Sequence, residues 1–326
     1  MHPALSVIFL TTLIGAGQGL FLALFTAESY AAFGLLPAID TRFLAFGSVV
    51  ALLLLVAGLA ASFFHLGHPE RAWRTAAQWR TSWLSREVIV LPAFMGVVAL
   101  YGLAHLSGAN PVLGRLPSGA PIDVTAILGS FGTVLAFALF VCTPMIYASL
   151  RFLREWHSPL TVINYTLLGW ASGFTLAAAL AAVLLPERAV FFAGWGLILT
   201  FAGLVGRSAS LLRNARLKPK SSLQTAIGIK HPRIVQKAQG AMGGSFNTRE
   251  FFHGRPATFL RQIKWFFLLA AFVVPLALLA AGGLGNAGAA PLALAFVVQY
   301  AGLLAERWFF FAQANHPQNL YYQTVS

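Results

Sequence analysis

Eight apolar runs, each roughly the 20 residues that a transmembrane helix needs, fill most of this chain. A helix satisfies its own backbone hydrogen bonds, which any segment inside lipid must do. The sequence therefore predicts an all-α integral membrane protein: an eight-helix bundle forming one polytopic domain over residues 1–326. The predicted spans are Leu5–Ala27, Arg42–Phe64, Glu87–Leu106, Ile122–Leu150, Leu160–Leu184, Ala189–Leu211, Trp265–Gly283 and Ala290–Ala312.

Composition supports a location in the lipid bilayer. The chain is 58% hydrophobic and 10% charged, whereas a soluble domain carries about 25% charged residues. The N-terminal segment has no positive region, and its apolar run is too long for a signal peptide, so we expect it to be retained as the first span.

Basic residues are divided unevenly between the two sets of connections. The connections after spans two, four and six and the C-terminal tail hold 4, 2, 12 and 1 Lys or Arg residues, 19 of the 22. The alternate connections hold Arg42, Arg115 and Arg188. Because cytoplasmic loops are rich in Lys and Arg, both termini are predicted to be cytoplasmic, in the inner membrane of a bacterium. This topology also explains the net charge of +13 without nucleic-acid binding, which places such charge on a soluble face.

The longest connection, residues 207–264, is predicted to be a basic cytoplasmic loop. Its charge alone indicates only a solvated loop that sets topology. Its segment AMGGSFNTREFFHGRP adds aromatic residues and Arg, which are favoured at protein interfaces, so docking of a cytoplasmic partner is equally open. The residues predicted to dock the partner are Arg71, Arg74, Arg249, Phe251 and Phe252.

Ionisable residues are concentrated in the segment FFHLGHPERAWRTAAQWRTSWLSREVIVLP. His65 and His68 close the second span, and Glu87 opens the third on the same side. Helices joined by a short connection are usually neighbours in space. Ionisable groups at membrane depth are costly, so they indicate a functional site. Because histidine exchanges protons near neutral pH, we predict a quinone or quinol site. His65 and Glu87 handle the protons, and His68 and Arg86 contribute to the pocket.

A simpler interpretation of the same segment stays open. His65 and His68 could be interfacial residues at a helix end, with Glu87 paired to Arg86. The Trp and Arg residues of the segment also suit an amphipathic stretch at the headgroup region.

Other polar residues interrupt the first and last spans. The GAGQG motif of span one favours close helix packing, and Gln18 within it requires a partner or a cavity. Glu28, near the outer end, is expected to be solvated. In span eight, Glu306 and Arg307 are expected to pair with each other or across helices. The residues that follow, Gln313, Asn315 and His316, either join the same pocket or form a docking tail.

Cofactors bound by this chain are predicted to be limited to an exchangeable quinone. One cysteine, Cys142, cannot hold an iron–sulfur cluster, which needs about four ligands. The eight histidines lie in loops or near span ends, which disfavours a haem between helices. No spacing typical of a metal site is present.

With these residues in place, the chain resembles the DmsC family of membrane anchor subunits. The matching segments are MHPALSVIFLTTLIGAGQGLF, HLGHPERAW, TSWLSREVIVLP and AERWFFFAQANHPQNLYYQ. The resemblance implies two partners, an iron–sulfur electron-transfer subunit and a molybdopterin catalytic subunit, and a quinone-reactive site beside the iron–sulfur partner. In the family, a histidine of the HLGHP segment and the following glutamate are associated with quinol, which implies that role for His65 and Glu87.

The long loop further resembles the SoeC-type anchors of membrane-bound sulfite dehydrogenases. A cytoplasmic quinone site fits a cytoplasmic catalytic dimer that oxidises sulfite, which favours this type over a dimethyl sulfoxide reductase. Two alternatives are a transporter of small solutes or ions, which would place polar residues near the membrane midplane, and a purely structural anchor that binds no quinone.

Overall fold

The computed structural model describes residues 4–218, 222–235, 237, 257–284 and 288–317. Within them, eight helical spans are long and apolar enough to cross a membrane, which confirms the predicted all-α bundle. The helices are α1 (Leu5–Ala32), α2 (Thr41–Phe63), α3 (Trp83–Ser107), α4 (Val124–Ala148), α5 (Pro159–Leu184), α6 (Ala189–Ala215), the short α7 (Leu223–Ile227), α8 (Ala257–Leu268), α9 (Val274–Leu284) and α10 (Ala289–Ala312). A π-helical turn, Leu269–Val273, joins α8 and α9 into the seventh span.

Several boundaries differ from those indicated by hydropathy. Helix α6 continues to Ala215 and α8 begins at Ala257, so the long connection is shorter than residues 207–264. The connection between α2 and α3 contains a 3₁₀ helix, Pro69–Gln78, and another, Pro186–Arg188, precedes α6. Polar caps determine several of these starts: Asp40, Ser82 and Asp123 accept backbone N–H groups of α2, α3 and α4, as N-cap residues do.

Because the number of described spans is even, the first span begins and the last span ends on the same side of the bundle. Helix α1 begins and α10 ends at one surface, which we call the terminal surface, and the opposite one is the distal surface. The segments with His65, His68 and Glu87 lie at the terminal surface, as do the ends of α4 and α6. The cytoplasmic orientation of that surface stays a prediction.

Helix α1 is the centre of the bundle and packs against α2, α4, α5 and α10. Its glycines allow the backbone of α5 to approach closely. A Cβ atom on Gly173 would lie 1.9 Å from the carbonyl carbon of Gly19, and one on Gly19 would lie 2.2 Å from the oxygen of Gly169. This contact confirms the packing role predicted for the GAGQG motif.

A small antiparallel hairpin lies at the distal surface between α3 and α4. Strand β1 (Val112–Arg115) pairs with β2 (Pro121–Asp123), and Gly119 turns the chain with a positive φ of 85°, which glycine adopts readily. Hydropathy alone predicts that the fourth span starts at residue 122. Instead, the strand ends at Asp123, whose side chain caps α4.

Candidate functional site

Glu87 is a buried carboxylate in the first turns of α3. It is 6% exposed and accepts a hydrogen bond of 2.5 Å from the hydroxyl of Thr143 on α4. The pairing joins residues that are 56 positions apart. Glu87 therefore points into the bundle, where its only hydrogen-bond donor among the described residues is this threonine.

Arg86 does not pair with Glu87. Its Nε donates to the carbonyl oxygen of Trp79 at 2.9 Å, and its Nη2 donates to that of Arg80 at 2.8 Å. The guanidinium carbon lies 4.2 Å from the ring centroid of Trp83. Arg86 thus ties the preceding connection to the start of α3, and the simpler interpretation of Glu87 as a partner of Arg86 is wrong.

The two histidines lie outside the span, in the connection after α2. His65 is exposed, and partial burial lowers the pKa of its imidazole below the ordinary value of 6.5. His68 Nδ1 lies 3.1 Å from Oε1 of the exposed Glu70. Within the described residues, no hydrogen bond or ion pair joins either histidine to Glu87. The structure thus places His65 and Glu87 at the same end of neighbouring helices without direct contact.

Two of the predicted docking residues lie on the 3₁₀ helix Pro69–Gln78, in which no residue is buried. The Nε of Arg71 lies 3.6 Å from Oε1 of Glu70, and the guanidinium of Arg74 lies over the ring of Trp73. This short helix presents charge and aromatic surface at the terminal surface. The other predicted docking residues, Arg249, Phe251 and Phe252, lie outside the described residues.

Thr143 also lines a narrow cavity between α1, α4, α5 and α10. The centre of a water molecule can occupy about 20 Å³ of this cavity, which is enough room for about one water. The polar side chains around it are Thr11, Thr12, Gln18, Thr143, Tyr165, Ser172 and Arg307. Gln18 Nε2 donates to the carbonyl oxygen of Ala136 at 3.0 Å. Gln18 therefore has both the partner and the cavity that its position requires.

A buried cluster of three charges lies on the other side of this cavity. Glu306 of α10 is 2.7 Å from the Nε of Arg207 on α6 and 3.5 Å from Nη2 of Arg307. All three residues are at most 4% exposed, and the guanidinium carbon of Arg307 lies 3.5 Å from the ring centroid of Tyr165. The predicted pairing of Glu306 is confirmed both with its neighbour and across helices.

The charge of this cluster is not balanced on its own. Arg207, Glu306 and Arg307 together carry one net positive charge, and a buried unbalanced charge is costly in a membrane protein. Arg307 and the Glu87 partner Thr143 line the same cavity. Ionised Glu87 would bring the buried group to neutrality. We therefore treat Glu87, Thr143, the cavity and the three charges as one site, the terminal polar site.

Glu28 is held by hydrogen bonds within the protein rather than simply solvated as expected, although 20% of its side chain stays exposed. Its Oε2 accepts from the Tyr101 hydroxyl at 2.5 Å, and its Oε1 accepts from the Thr125 hydroxyl at 2.7 Å. His105 Nε2 lies 3.3 Å from Oε1. These partners come from α3 and α4, so the hydropathy of α1 alone could not reveal them.

The described residues contain no group of three or more His, Cys, Asp or Glu side chains suited to a metal ion. Cys142 is buried in α4, next to Thr143.

A bundle of eight long apolar helices belongs to the class of polytopic membrane proteins. The family model described as DMSO reductase anchor subunit (DmsC) matches residues 1–312. The C subunit of the sulfite dehydrogenase from Allochromatium vinosum is 58% identical over 326 residues, which cover all of both chains. The chain belongs to the DmsC family and is a multi-pass membrane anchor subunit of the dimethyl sulfoxide reductase type. This membership favours the anchor role over the transporter alternative.

Proposed function

We propose that this protein anchors a membrane-bound sulfite dehydrogenase in the bacterial inner membrane and passes its electrons to quinone. The observation that supports this most directly is the 58% identity to the C subunit of a sulfite dehydrogenase along the full length of both chains. The partners are an iron–sulfur subunit and a molybdopterin catalytic subunit, and they hold the metal cofactors. This chain supplies the docking surface and the quinone-reactive site.

The reaction balances without a further reagent. In the catalytic partner, oxidation of sulfite to sulfate consumes one water and releases two electrons and two protons. Reduction of a quinone to a quinol consumes two electrons and two protons. Electrons arrive from the partner, so the chemistry left to this chain is to bind the quinone and to deliver protons to its oxygens.

His65 and Glu87 are the proposed proton-handling residues at the terminal surface. His65 is exposed where the chain leaves α2, and imidazole exchanges protons near neutral pH. Glu87 lies deeper and accepts from Thr143 alone among the described residues, so most of its acceptor positions are open to water or to substrate. His68, on the same connection, and Arg86, in the first turn of α3, form the rim of the proposed pocket.

Within the terminal polar site, Thr143 and the cavity give Glu87 a route for exchanging protons with the interior of the helix bundle. Thr143 contacts Glu87 on one side and the water-sized cavity on the other. Arg307 lines the same cavity as Thr143, and Glu306 pairs Arg307 with Arg207. We infer that Glu87 gains and loses a proton during turnover, while the paired arginines stay charged.

Purification of the tagged protein with its partners in mild detergent tests this proposal. We expect iron and molybdenum to co-purify, and sulfite rather than a sulfoxide to be the substrate of the eluate. A metal-free protein that is well folded would contradict the anchor role. A complex active only on a sulfoxide would contradict the sulfite assignment and leave the anchor role intact.

The docking surface is tested in the same experiment. The double variant Arg71→Glu/Arg74→Glu reverses the charge of the 3₁₀ helix and should reduce the co-purified metal. Arg115→Glu/Arg188→Glu makes the same change at the distal surface and is the matched control. Equal metal recovery from both variants would show that this helix is not part of the interface.

A further inference from the structure

Two open crevices at the distal surface meet at Glu28, far from the terminal polar site. The smaller, about 310 Å³, lies between the end of α1, the start of α2 and the end of α3. The larger, about 620 Å³, lies between α1, the hairpin and α4. Glu28 and Ala32 line both. Each volume is within the range of small-molecule sites.

The two carboxylates at this junction share one hydroxyl. The Thr125 hydroxyl lies 2.7 Å from Oε1 of Glu28 and 3.0 Å from Oδ1 of Asp123. A hydroxyl has one proton to donate, so only one of the two carboxylates receives it at a time. Asp123 also accepts from the Ala126 N–H and the Asn110 amide. Glu28 also accepts from the Tyr101 hydroxyl, so a ligand hydroxyl would be an additional donor at Glu28.

His105 supplies a second, independent observation. It is 6% exposed and lines the smaller crevice beside Glu28. Although its Nε2 lies 3.3 Å from Oε1 of Glu28, it has no aligned hydrogen-bond partner among the described residues. A buried polar atom that makes no hydrogen bond is costly, even beside a carboxylate. A ligand with a hydroxyl group could bond both to this nitrogen and to the carboxylate.

The walls of the larger crevice indicate an apolar chain. Ala126, Ser130 and Val134 follow one another at intervals of four along α4 and line the crevice, so they form one continuous face of the helix. Eight residues of helix span about 12 Å. Phe25 and Phe131 also line this groove. It therefore leads from the carboxylate toward the hydrocarbon core.

The charged side chains that line the crevices favour one class of lipid ligand over another. Glu28 and Asp123 contribute carboxylates, and no Lys or Arg is among the described residues that line either crevice. An anionic phosphate would face like charge here. A neutral ligand with hydroxyl donors and a long apolar chain fits the lining without repulsion, and an isoprenoid quinol has that chemistry.

We propose that the distal crevices form a second quinol-binding site. The quinol hydroxyl bonds to Glu28 and His105, and its isoprenoid chain lies along α4. The site binds quinol without oxidising it, so no electron acceptor at this surface is required. This second site goes beyond the anchor function but rests on it for the supply of quinol, and its test separates the two.

The test uses a photoreactive quinol analogue with the full-length chain in membranes, co-expressed with its partner subunits. After illumination, labelled peptides are identified by mass spectrometry. We expect label at the terminal surface, near the connection between α2 and α3, and also in the distal segment formed by the hairpin and the start of α4. Excess unlabelled quinol should suppress both.

Two variants address the distal site separately. Ser130→Trp fills the larger crevice, and Glu28→Gln removes the carboxylate with little change of shape. Both should lose the distal label and keep the terminal one, which also reports that the protein is folded. Val183→Trp, at a lipid-exposed residue near the distal end of α5 (68% exposed), is the matched control and should keep both labels.

Three results would overturn the proposal. Terminal label without distal label in the parent protein would contradict the second site and leave the proposed function intact. Distal label that is suppressed by phosphatidylethanolamine but not by quinol would make the crevices a phospholipid site. Absence of label at both surfaces of the parent protein would contradict the second site and the proposed function as well.

Discussion

Glu87 is a buried carboxylate and Glu28 a half-buried one at the opposite end of the bundle, and their surroundings differ. Glu87 has a single hydroxyl donor, Thr143, which lines a narrow cavity with room for about one water. Glu28 has two hydroxyl donors and a nearby imidazole, and it borders two larger crevices. A narrow polar cavity suits the movement of protons, whereas a large crevice suits a large ligand. Membrane depth alone therefore does not define the function of a carboxylate.

Fixed charge also separates the two ends. Thr143, the hydrogen-bond donor to Glu87, lines a cavity together with Arg307, and Glu306 links Arg307 to Arg207; arginine stays protonated. The partners of Glu28 are Tyr101, Thr125 and His105, which need not be charged. The terminal polar site should therefore be more sensitive to the loss of a carboxylate than the distal site.

The largest effect is expected for Glu306→Gln, which leaves two buried arginines without their shared counter-ion. Removing one member of a buried ion pair costs about 3–5 kcal/mol, so little folded protein should be recovered. The double variant Arg207→Met/Glu306→Gln restores the original net charge and should recover part of the loss. Thermal unfolding in detergent measures both. A single variant as stable as the parent would contradict a charge-coupled cluster.

The intermediate effect is expected for Thr143→Val, which removes the single donor to Glu87. A hydrogen bond to a charged group contributes about 1.5–3 kcal/mol, and quinone turnover should fall with stability. Thr175→Val is the matched control, because the Thr175 hydroxyl is buried but bonds to Ala171 of its own helix. If both variants turn over quinone equally well, Thr143 does not position Glu87.

The smallest effect is a change of pH dependence in His65→Ala. Because the pKa of His65 lies below 6.5, the residue is mostly neutral at pH 7 and becomes protonated as the pH falls through that lower value. If it donates protons to quinone, the ratio of parent to variant turnover should rise toward acidic pH and level off at alkaline pH. A ratio independent of pH would remove His65 from proton delivery.

The eight spans can be predicted from the sequence because hydropathy over about 20 residues is a local property. The membrane depth of Glu87 is also predictable, since this ionisable residue opens an apolar run. Its partner is not, because Thr143 belongs to a different helix and only packing brings the two together. The short connection between α2 and α3 does not by itself bring His65 into contact with Glu87.

Arg207 and Glu28 show why hydropathy places charges poorly. Arg207 falls at the overlap of the predicted span Ala189–Leu211 and the predicted loop 207–264, whereas α6 continues to Ala215 and buries it against Glu306. The position of Glu28 near a span end predicts a solvated side chain, yet side chains of α3 and α4 bond to it and leave it half-buried. The long separation between Arg207 and Glu306 along the chain leaves no local signal for such a pairing.

The most direct test of the role of Glu87 is sulfite-driven quinone reduction by the assembled complex with Glu87→Gln. We expect retained iron and molybdenum, unchanged sulfite oxidation with a soluble electron acceptor, and quinone reduction lowered by about 10²-fold or more, as for loss of a general acid or base. Quinone reduction at the parental rate, in a variant that retains its metals, would show that the buried carboxylate of α3 does not handle the protons of quinone.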